Sequence, residues 1–148
     1  MNTLSSMRIA LLTTLVTMVC IVLISCGQDS SALCASQTES YIRDIDPLVD
    51  EFLDTWQVAE STSRIALSPL VRDMQRAHRE LQDVAPPECA EDGSNRLILG
   101  VGSIIDGFIA FMGEEDDAAV SRKVERGADL MDSGMSELAD LASGKVPQ

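Results

Sequence analysis

Apolar side chains recur every three or four residues in four separate stretches, and this spacing constrains the fold more than any other feature of the chain. Ile42, Ile45, Val49, Phe52, Trp56 and Ala59 mark the first stretch. Leu70, Met74, Ala77, Leu81 and Val84 mark the second. Leu97, Val101, Ile104, Phe108 and Phe111 mark the third. Val120, Val124, Ala128, Met131, Met135 and Leu138 mark the fourth. Such spacing puts one apolar stripe on each of four helices. No alternating run argues for a strand.

The interruptions divide the chain at the same places. "STS" at 61–63 parts the first two stretches, and Ser68-Pro69 offers an N-cap and a first-turn proline. "APPE" at 85–88 parts the second and third. Gly113 closes the third, and "EEDD" at 114–117 puts negative charge where the dipole of the fourth helix favours it. Pro47 is the weak point, because it removes a helical hydrogen bond. Either the first helix begins at Asp46, or it starts near Ser31 and runs on as a kinked or two-piece helix; the spacing of Ile42 and Ile45 favours the second. Short links between such helices predict an all-α fold, an antiparallel up-down-up-down four-helix bundle over residues 34–148. Trp56, within the first stripe, is expected to be largely buried.

A second pattern precedes the bundle. Residues 9–24 carry no charge, Arg8 is the only charge before them, and the run ends in Leu23-Ile24-Ser25-Cys26. A cationic start, an apolar stretch and small residues before a cut describe a signal segment. About 16 apolar residues fall short of the ~20 that span a bilayer. The last four residues resemble the lipobox of bacterial lipoproteins. The resemblance implies cleavage before Cys26, lipidation of that cysteine and a lipid-anchored location in the cell envelope. Cys20, preceded by Val19, fits poorly. The expected organisation is a signal peptide at 1–25, a short tether at 26–33 and the bundle at 34–148. The apolar stripes are similar to those of exported bacterial helical-bundle proteins, many of them lipoproteins.

Composition narrows the partners. The signal segment holds one of the 11 Lys and Arg, Arg8, and none of the 24 Asp and Glu, so the remainder carries a net charge of −14. Nucleic-acid binding needs a basic footprint, which is missing. Anionic lipid should repel the domain, leaving the anchor on Cys26 as the membrane contact. Export also bears on the four cysteines. Cleavage removes Cys20 and lipidation occupies Cys26, which leaves Cys34 and Cys89 to pair in an oxidising setting. Both lie near helix starts that share one end of an up-down bundle.

No pattern of catalytic residues emerges. His78 is the only histidine, and residue 75 is Gln, so the paired Glu-x-x-His sets of di-iron bundles are absent. Met74, Met112, Met131 and Met135 fall on the apolar stripes and read as packing residues rather than as soft-metal ligands. "DIDPLVDE" and "EEDD" lack the spacing and central glycine of a calcium loop. There is no glycine-rich phosphate loop and no Gly-x-Ser-x-Gly elbow. "GVGSIIDG" is unusual, placing Gly100, Ser103 and Gly107 in one band of the third helix, where a neighbouring helix or a partner would approach closely. The chain reads as a non-catalytic, membrane-tethered bundle without metal or cofactor, with a binding or structural role. The alternative is a metal or haem carrier that uses the bundle interior.

Overall fold

The structure is a computed structural model that describes residues 29–145. The expected signal segment and Cys26 lie outside the described residues. The chain divides into two compact units, 1–33 and 34–148. In the first unit only residues 29–33 are described, and they form the opening turn of a helix.

The described residues are helical, with no strand among them. Helix α1 spans Asp29–Glu60, α2 Ser68–Asp83, α3 Glu91–Met112 and α4 Asp117–Ala142. Short 3-10 turns at Arg64–Ala66 and Glu88–Ala90 lead into α2 and α3. Cross-helix pairs give the directions. Cys34 meets Cys89 and Tyr41 meets Ser94, so α1 and α3 run parallel. Gly93 faces Gly134, and Gly107 faces Val124, so α4 runs against α3. His78 lies on Gly102 while Arg64, just before α2, reaches Phe111, so α2 also opposes α3. The architecture is the antiparallel up-down-up-down four-helix bundle.

α1 is continuous through Pro47. Pro47 is exposed, so water can satisfy the Arg43 carbonyl that loses its amide partner. Buried Tyr41, Ile45, Val49 and Phe52 hold the helix to the core on both sides of it. The helix begins at Asp29, two residues before the expected start near Ser31. Residues 29–33 are already helical and rise ~1.5 Å each, less than half the reach of an extended chain.

Ser68 does not cap α2. The residue before the helix is Leu67, itself in helical conformation, and no side chain caps the end. The Arg64–Ala66 turn feeds straight into the helix, and Val71 N–H donates to the Leu67 carbonyl. Fully buried Leu67 anchors this junction, and Pro69 occupies the first turn, where no amide partner is needed. At the other junction Asp116 caps α4, accepting from Ala119 N–H at 3.1 Å.

α3 is the centre of the fold. Its buried side chains include Leu97, Val101, Ile104, Ile105 and Phe108, which pack with Phe52, Met74 and Leu81. α4 departs from expectation. Of its predicted stripe only Leu138 is fully buried, whereas Val120, Val124, Ala128, Met131 and Met135 are half-buried. The residues that α4 buries besides Leu138 are Gly127 and Gly134. Backbone, rather than side chain, fills the space between α3 and α4. The apolar side chains beside the glycines stay half-buried, with Met131 and Met135 packed against the core.

Candidate functional site

The glycine band belongs to an intramolecular seam. Gly93, Gly100 and Gly107 recur every seven residues on α3, and Gly127 and Gly134 do so on α4. A repeat of seven keeps one side of each helix facing its neighbour over several turns. A Cβ on Gly100 would lie 2.6 Å from the Gly127 carbonyl, and one on Gly134 2.6 Å from the Leu97 nitrogen. No real side chain tolerates such distances to backbone. On Gly107 the obstacle is a side chain, Val124 Cγ2 at 2.5 Å. Ser103 contributes differently, donating its hydroxyl to the Lys123 carbonyl on α4 at 2.9 Å. The Gly100-Ser103-Gly107 band thus packs on a helix of the same bundle. Gly93, Gly127 and Gly134 extend the seam beyond the expected band, and their shared seven-residue interval in two predicted helices is a readable signal for them.

The two cysteines are joined. Cys34 and Cys89 form a disulfide with Cα atoms 6.2 Å apart, within ordinary bonding range. The bridge ties the N-terminal part of α1 to the turn preceding α3. Buried Thr38 sits one turn after Cys34, its hydroxyl 3.9 Å from each sulfur. Farther along the same interface the Tyr41 and Ser94 hydroxyls are hydrogen bonded at 2.6 Å. Burial raises the Tyr41 pKa above the ordinary phenol value, with the Ser94 bond acting against the rise.

His78 is half-buried. Its ring lies over Gly102, where a Cβ would be 3.4 Å from the ring carbon Cε1. Burial is the main reason its pKa falls below the ordinary histidine value, with Arg79 adding to the fall. The Ile98 backbone and Asp106 pull the other way. Among the described residues no three His, Cys, Asp or Glu side chains gather in a cluster able to hold a metal ion.

Two of the clefts lined by α3 draw residues from three helices each. One, of about 340 Å³, lies between α2 and α4 and is bounded by His78, Leu99, Gly102, Asp106, Arg126 and Leu130. Its charges are of both signs, and it is open because α3 separates the helices that wall it. The other, of about 450 Å³, lies among the end of α1, the end of α3 and the start of α4. Trp56, Phe108 and Phe111 form its aromatic walls, with Ala59, Val120 and Val124 between them and Glu60 and Glu125 among its lining. Trp56 is only half-buried, against expectation, because its ring borders this cleft instead of being enclosed by the core. It still packs on Phe52, with ring centroids 6.2 Å apart.

No protein-family model, curated protein or solved structure matches this chain.

Proposed function

We propose that the protein is a lipid-anchored, non-catalytic helical bundle of the bacterial cell envelope, tethered through Cys26 and serving a binding or structural role. One observation carries the reading. The uncharged apolar run of residues 9–24 ends in Leu23-Ile24-Ser25-Cys26, and α1 begins three residues after that cysteine, at Asp29. Such an order leaves a short connection between an acyl anchor and a folded domain. Several acyl chains on one cysteine would hold it stably, since each buried methylene contributes ~0.8 kcal/mol. The Cys34–Cys89 disulfide supports an oxidising compartment, where such bonds persist. The net charge of −14 beyond residue 25 supports a domain that stands off an anionic surface.

Mass spectrometry of the N-terminal peptide from the membrane fraction tests this reading. The expected first residue is Cys26 carrying acyl chains, and Cys26→Ala should release the protein or leave the precursor uncut. An intact Met1, or an unmodified N-terminus at another residue, overturns it.

A further inference from the structure

We propose that the cleft walled by Trp56, Phe108 and Phe111 binds an amphiphilic monovalent cation, one whose positive charge is joined to an aromatic or short alkyl body. The chain has five aromatic residues: three Phe, one Trp and one Tyr. Three of the five meet in this one cleft, contributed by α1 and α3. Phe52 and Tyr41 lie in the core, and Phe108, only 8% exposed, belongs both to the core and to the cleft wall. The volume of about 450 Å³ suits a small organic molecule rather than a bare ion.

The charges around the cleft select the sign of the ligand. Glu60 and Glu125 line it and are solvent-exposed, which puts their carboxylates at its mouth. Two cations near the cleft are engaged in ion pairs. Arg64 bonds Glu114 at 3.2 Å, and Lys123 bonds Glu115 at 2.9 Å. The lining residues therefore include two carboxylates and no cation beside the three aromatic rings. Aromatic faces attract cations through the ring quadrupole, most strongly where water is excluded. One face of Phe111 is already taken by the Arg64 guanidinium, whose carbon lies 4.6 Å from the ring centroid, which leaves Trp56 as the principal ring for a ligand's charge. An anion would meet repulsion at the mouth, and a neutral ligand would gain only apolar burial.

The cleft exists because of the seam beside it. Gly107 and Val124, the last close pair of the α3–α4 interface, both line it. There the seven-residue glycine repeat of α4 gives way to a side chain, Val120 standing seven residues before Gly127. This inference rests on the binding half of the reading above. The anchor is tested by the N-terminal mass, so the two fail independently.

Trp56 is the only tryptophan, which makes its fluorescence a local reporter. The full-length protein in phosphatidylcholine vesicles is titrated with phenyltrimethylammonium, benzyl alcohol and benzenesulfonate, which present one ring with a positive, neutral or negative group. The expected result is a saturable change in Trp56 emission with the cation. Binding of the alcohol should be at least tenfold weaker, a difference of about 1.4 kcal/mol, with no saturable response to the sulfonate. The double variant Glu60→Gln, Glu125→Gln should keep its helical spectrum and its unliganded emission while the preference for the cation falls below threefold. Three results overturn the proposal: no saturable response to the cation, alcohol binding within threefold of the cation, or an undiminished preference in the folded double variant.

Discussion

Gly100 and Gly127 press backbone against backbone: a Cβ on the first would lie 2.6 Å from the carbonyl oxygen of the second, and a Cβ on the second 2.7 Å from that of the first. The reciprocity means that neither helix can yield without moving the other. A similar relation recurs one heptad away between Gly134 and Gly93, where the Gly93 carbonyl lies 2.7 Å from a Cβ on Gly134. This seam sets how far the remaining apolar side chains of α4 can enter the core.

Alanine at Gly100 or Gly127 should therefore destabilise the protein by about 3 kcal/mol or more, the upper range for overpacking against rigid structure. Gly102→Ala is the contrast. That glycine faces only the His78 ring, at 3.4 Å, and alanine is favoured over glycine within a helix by roughly 1 kcal/mol. Urea denaturation should rank Gly102→Ala at or above the parent protein and both seam variants well below it.

The Cys34–Cys89 bridge closes a span of 55 residues. Loop-closure entropy assigns such a crosslink roughly 4 kcal/mol, a large share of the ~5–15 kcal/mol typical of a domain. Thiol titration of the unfolded, unreduced protein should find neither cysteine free. Reduction, or Cys34→Ala with Cys89→Ala, should lower the denaturation midpoint while leaving a helical circular-dichroism spectrum. Two reactive thiols at these positions would refute the bridge.

His78 should make stability depend on acid. Its folded-state pKa lies below the ordinary value of 6.5, chiefly through burial. The unfolded chain therefore takes up the proton first as pH falls. The contribution is fully present above pH ~6.5 and is lost as pH falls toward the folded pKa. His78→Gln should still fold, and its stability should decline less than that of the parent between pH 7 and pH 5. Parallel urea titrations at the two pH values measure the difference, which cancels the carboxylates common to both proteins. An equal decline in both would refute the burial of the neutral ring.

The sequence by itself determined the four helices, their alternating directions and the cysteine pair. Periodic apolar residues state which side of each helix turns inward, and Pro, Gly and acidic clusters state where it stops. Only the tertiary structure decided how deeply each stripe is buried. Val120, Val124, Met131 and Met135 carry the right spacing, yet they are only half-buried: Val124 meets Gly107 in the seam, and Met131 and Met135 pack against the edge of the core. Spacing reports direction and is silent on the distance to the neighbour. That distance depends on which residues lack a Cβ on both helices and on the register that brings Gly100 to Gly127 and Gly93 to Gly134. The same limit applies to the aromatic cleft. Trp56, Phe108 and Phe111 belong to two different stripes, and they share a cavity because α1 and α3 end side by side where the glycine contact between α3 and α4 runs out.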